Sequence, residues 1–85
     1  SSLVTSIQEW VKFGFPYFDN VMAEIYKADF ITEPMVKTMF FNIMGGYVNN
    51  FSRAFEMNND VETSHHIAFS MLMQDQMFHI LFKVS

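Results

Sequence analysis

With 85 residues, 51% of them hydrophobic, the chain is long enough for one core and too short for two, because the share of surface that folding can bury falls quickly as domains shrink. Nine acidic and five basic side chains give a formal charge of −4 with no block of either sign, which excludes a basic face built to track phosphates. No cysteine is present, so a disulfide framework and a thiolate metal site are both excluded.

Hydrophobic periodicity predicts an all-α fold, a compact bundle of about four helices forming a single domain over residues 1–85. The first helix spans about 3–13, with Leu3, Val4, Ile7, Trp10 and Val11 on one face and Gly14 at the terminating position. Pro16 belongs in the first turn of a second helix over 16–29, which turns Phe18, Val21, Met22 and Ile25 inward and Asp19, Asn20, Glu24 and Lys27 outward. Thr32 is the candidate cap of a third helix over 33–57, with Glu33 and Pro34 in its first turn and an Asn58-Asn59-Asp60 turn after it. Asp60 caps a fourth helix over 61–84. Its apolar stretch from Ile67 to Val84 carries Gln74, Asp75, Gln76 and His79 near the middle, where a bilayer penalises them most, so no membrane span is expected. No segment has the order of a signal peptide, and a cytoplasmic location is the default expectation.

The third and fourth helices carry more apolar surface than a simple bundle uses. At 100° per residue, Val36, Met39, Ile43, Asn50 and Met57 form one seam of the third helix, and Phe41, Met44, Val48, Phe51 and Phe55 form a second. Ile67, Met71, Phe78, Leu81 and Phe82 make one flank of the fourth helix. Phe69, Met73, Met77, Ile80 and Val84 make the other, and His65, Asp75, Gln76, His79 and Lys83 fall on a polar stripe. An amphipathic helix needs an apolar arc of a little over ~100°, and these two present about 200°. Covering a few hundred Å² of the excess at about 25 cal/mol per Å² is worth on the order of 5–10 kcal/mol.

Chemistry-bearing motifs are sparse. His65 and His66 point about 100° apart and cannot ligate together from one helix face. Glu62 with His66, and Asp75 with His79, have i, i+4 spacing, but the second half of a carboxylate-rich metal site is missing, and no metal site is expected. His66 or His79 opposite one of the eight Met residues is a conceivable axial pair for haem, though Met at this frequency reads first as core filler. Gly45-Gly46 inside the third helix calls for close approach of another helix or a kink, and it lacks the spacing of a phosphate-binding loop. Asn50 on an apolar seam resembles a register-setting residue, or else opens the second half of a broken helix. No nucleophile stands beside a base, and no catalytic residues are assigned.

A small, acidic, cysteine-free helical chain with surplus Phe and Met is similar in class and composition to bacterial or phage-encoded immunity proteins, inhibitors and small regulators. The expected function is therefore non-enzymatic: an immunity- or antitoxin-like inhibitor or regulator that binds a protein partner or a second copy of itself. Phe41, Val48, Phe55, Phe69, Met73, Met77 and Ile80 are the expected anchors, with Asp19, Glu24 and Asp29 as rim charges. The alternative is a carrier that holds haem, a lipid or another apolar molecule within the bundle. No cofactor, nucleic acid or metal is assigned.

Overall fold

The computed structural model describes residues 2–28 and 31–82, with side chains placed for 3–28 and 31–81. Asp29 and Val84, and the side chain of Phe82, lie outside the described residues. The chain forms α1 (Ser2–Phe13), a 3₁₀ turn (Phe15–Tyr17), α2 (Phe18–Lys27), α3 (Pro34–Asn58), α4 (Val61–Leu72) and α5 (Gln76–Phe82), with no strand among the described residues. The expected all-α bundle is the observed one. At about 1.5 Å rise per residue, the 25 residues of α3 span about 37 Å. They run the 39 Å length of the molecule.

Gly14 ends α1 because it alone can adopt the backbone required. Its φ of 98° and ψ of −162° lie in a region essentially reserved for glycine, and its N–H donates to the Trp10 carbonyl at 2.9 Å. The chain then turns through Pro16, so the proline opens a 3₁₀ turn and α2 proper starts at Phe18. A Gly14→Ala substitution forces a side chain into that conformation. It should cost about 1–3 kcal/mol of unfolding free energy in urea titrations; an unchanged midpoint would mean that the turn relaxes at no expense.

Pro34 takes the first position of α3, where a missing N–H costs nothing. The residue before the helix is Glu33, not Thr32; its carbonyl accepts from Val36 and Lys37, and no side chain caps this end. The expected Thr32 cap is thus corrected: the rigid proline substitutes for it. Asn59 ends α3 in the left-handed conformation (φ 54°), which asparagine tolerates, and its N–H donates to the Phe55 carbonyl at 2.8 Å. Asp60 then caps α4, accepting from the Thr63 N–H at 3.3 Å and from the Thr63 hydroxyl. The Asn58 side chain braces the turn by accepting from the Asp60 N–H at 2.8 Å and the Ser64 hydroxyl at 3.2 Å.

The fourth predicted helix is two helices. Met73 to Asp75 form a turn, with N–H groups of all three donating to Phe69, Met71 and Leu72 carbonyls in order. The Asp75 carboxylate accepts from the Met77 N–H at 2.9 Å and so starts α5. The His79 ring Nε2 lies 2.6 Å from the Met73 carbonyl, to which it must donate, and closes the turn from the far side. Asp75 and His79 are both engaged at the turn.

The helices pair as two hairpins, α1 with α2 and α3 with α4, and α5 folds back on α3. α4 packs with Ser64, His65, Ala68 and Leu72 buried, two small side chains beside two larger ones. Between the hairpins stands Trp10, which takes Phe18, Tyr47 and Phe69 edge-on at centroid separations of 5.9, 4.9 and 5.1 Å. Trp10, Tyr47 and Phe78 are the largest fully buried side chains. Lys37 adds a polar tie by donating to the Tyr26 carbonyl at 2.9 Å, at the end of α2 where a cation is favoured.

Candidate functional site

The break at Met73–Asp75 changes which side chains share a face. In one continuous helix Met77 would stand a turn beyond Met73. The turn resets the phase, so Met77 comes beside Met71 while Phe78 joins Phe69 and Met73. Two grooves result, one on either side of α4.

The first groove, about 330 Å³, runs between α3 and the α4–α5 turn. Its floor is Ile43, Tyr47 and Leu72, and its walls are Met39, Met71 and Met77. Asn42, Asn50 and Asp75 supply a polar rim. Gly46 keeps the α3 wall open: a methyl group added there, or at Gly45, meets nothing within 4 Å. Of the two accounts of the glycine pair, close approach of another helix or a kink, the first is not seen among the described residues. α3 continues unbroken through Asn50, which therefore does not open a second helix.

The second groove, about 320 Å³, lies between α1 and α4–α5 and is lined by Ile7, Val11, Phe69, Met73 and Phe78, with Gln8 as its polar member. Thioether walls suit varied partners because methionine re-packs at little cost. Met71 is 49% exposed and Ile67 is 42% exposed, so the excess on α4 is left uncovered by the chain itself.

The seven expected anchors do not form one surface. Phe69 and Met73 come together in the second groove, and Met77 lines the first. Ile80, 63% exposed, sits at another place beside Ile31, Val36 and Leu81. Phe41 packs on Tyr26 at 4.7 Å, Phe55 stacks on Phe51 at 6.1 Å and is 37% exposed, and Val48 is partly buried against the core. Of the expected rim charges, Asp19 is exposed and Glu24 pairs with Lys27 at 3.2 Å; Asp29 is outside the described residues. Sequence reasoning missed Met39 and Met71 as groove walls. The i, i+4 spacing of Met71 and Asp75, with Asp75 as a helix start, was the available signal.

It also missed the buried polar centre. His65, expected on a solvated stripe, is only 2% exposed. The Tyr47 hydroxyl and the His65 Nδ1 are 2.7 Å apart, and His65 Nε2 is 3.4 Å from the Val11 carbonyl. A carbonyl only accepts, so Nε2 carries the proton of the neutral ring and Nδ1 accepts from Tyr47. Burial pushes the Tyr47 hydroxyl up to about 12, with the nearby Trp10 indole pulling weakly the other way. The Trp10 N–H itself is buried without a hydrogen-bond partner. Burial lowers His65, the Val11 carbonyl opposes that shift, and neighbouring His66 adds to it. His66 is exposed and lies 3.8 Å from Glu62.

Among the described residues, no group of three or more His, Asp and Glu side chains is placed to hold a metal, and no helix is long and apolar enough to cross a membrane. No family model matches the chain, and comparison with curated proteins and with solved structures returns no match.

Proposed function

We propose that the chain is a non-enzymatic protein-interaction module, a small regulator or inhibitor that receives apolar side chains of a protein partner, or of a second copy, in the grooves flanking α4. The carrying observation is the first groove: three methionine walls over an apolar floor, rimmed by two amides and a carboxylate, and held open by a glycine where an added methyl group would meet nothing within 4 Å among the described residues. Two glycines in mid-helix cost roughly 1 kcal/mol each against alanine, a cost that an external partner lying close to α3 would offset. A carrier of a small apolar molecule is the second reading, favoured by the second groove, whose lining is apolar apart from Gln8.

Gly46→Leu separates groove from fold. The added side chain fills the first groove, and the gain in helix propensity should raise stability by up to about 1 kcal/mol. Photo-crosslinking from a diazirine analogue of methionine, incorporated throughout the chain, should give a discrete adduct through Met71 or Met77 that Gly46→Leu abolishes. An adduct that survives the substitution, or none at all, would refute this use of the groove. Solution mass by light scattering then tells a second copy from another protein, and an absorbance spectrum on the same peak reports a coloured ligand.

A further inference from the structure

His65 joins three elements at one point. It stands on α4, it accepts from Tyr47 of α3, and it donates to the last turn of α1 through the Val11 carbonyl. Gly14, which lets the chain leave α1, lies against the same ring: a methyl group added there would come within 3.8 Å of it. Trp10 meets the imidazole edge-on at 6.3 Å. One ring thus accepts within the second hairpin, from α3, and donates across to α1 of the first.

We infer that His65 is an acid-sensitive latch at the junction of α1, α3 and α4, in which the neutral ring satisfies the Tyr47 hydroxyl and the Val11 carbonyl together, and protonation, by removing the Nδ1 acceptor, destabilises the packed hairpins. Protonation places an N–H at Nδ1, facing a hydroxyl that already directs its own proton there. The hydroxyl must turn away, and the polar group beside it, the Trp10 indole, is also a donor. A buried cation and a donor without an acceptor are created together, and both oppose folding.

The surrounding charges are few. α1 contributes Lys12 to the cleft in front of His65, the 3₁₀ turn contributes Phe15 and Pro16 without charge, and α3 contributes the Tyr47 hydroxyl. From its own helix and cap come Asp60, Glu62 and His66. Asp60 is held below the usual carboxylate range by the Thr63 hydroxyl, and Glu62 faces His66. Both His65 nitrogens are already taken, so these carboxylates act on it only across the cleft.

The sign follows from the lowered value in the folded protein. Above the ordinary value of 6.5 both states are neutral and the full stability is present; as pH falls below it the unfolded chain takes up a proton that the folded chain resists, and stability is lost until the folded ring itself titrates. One proton limits the loss to about tenfold in the folding constant per pH unit.

The test is urea unfolding of the full chain, followed by the fluorescence of its single Trp between about pH 5 and about pH 7, where His is the side chain that ordinarily titrates. The wild-type constant should fall several-fold across that window. His65→Gln, which keeps one acceptor and one donor, should flatten the dependence, while His66→Gln should leave most of it in place. NMR titration of the wild-type His65 ring should give a midpoint below that of free imidazole, and this measurement stands even if His65→Gln does not fold. A His65 midpoint at or above the free value, or an undiminished slope in His65→Gln, would overturn the latch.

Discussion

Trp10→Ala should remove a large share of the protein's stability. A fully buried large aromatic removed from a core costs about 3–5 kcal/mol through lost transfer energy and the cavity left behind. Trp10 also carries edge-on contacts to Phe18 of α2, Tyr47 of α3 and His65 and Phe69 of α4, so few neighbours can move in without giving up contacts of their own. A domain of this length has a total stability of roughly 4–13 kcal/mol, scaled per residue. The substitution also removes the unpartnered indole N–H, a small gain that does not reverse the sign. Urea titration followed by far-ultraviolet circular dichroism is the measurement, since the variant has no tryptophan. A loss under about 1 kcal/mol would contradict the central placement of Trp10.

Phe78→Ala should act differently, because α5 can leave without the rest. Seven residues are too few for a helix to persist alone in water, where roughly 12–15 are marginal, so α5 is held by its packing. Phe78 is that packing: it is fully buried and meets Phe69 edge-on at 5.9 Å. Removing it would cost about 3–5 kcal/mol if α5 stayed in place. The apparent loss is capped at whatever docks α5, and beyond that the helix detaches. Hydrogen exchange should therefore show α5 amides losing protection while those of α3 keep theirs. Uniform loss of protection along the chain would mean that α5 and the bundle unfold as one unit. Because Met77 lines the first groove and Phe78 the second, the same variant should also weaken any partner crosslink through either.

Much of the fold was legible because local punctuation and periodicity agree. Gly14, Pro16, Pro34 and the Asn58-Asn59-Asp60 turn each act within a few residues of themselves, and each falls where a helix starts or stops. The inward face of α2 was read correctly for the same reason: Phe18, Val21 and Ile25 are buried and Met22 packs against them. α1 was read in part, with Leu3 and Trp10 buried but Val4 and Val11 left more exposed than hidden neighbours would be.

The α4–α5 break was not legible. Met73 and Gln74 are good helix formers, no glycine or proline marks the turn, and Asp75 falls on the polar stripe of a continuous helix as readily as at a helix start. The candidate site inherited that error, since every side chain beyond Asp75 changes face when the phase resets.

Most helix ends, the all-α class and the excess of apolar surface on the third and fourth helices were determined by the sequence alone, because each depends on spacing and on residues that act locally. Only the tertiary structure decided which faces turn inward on α4, where Ser64, His65 and Ala68 are buried while Ile67 and Met71 stay outside. The buried face takes the small Ser64 and Ala68 beside His65 and Leu72, so fit against the neighbouring helices chose it, a criterion no hydropathy pattern expresses. The pairing of Tyr47 with His65, eighteen residues apart, belongs to the same class: neither residue specifies the other until two helices bring them together around Trp10.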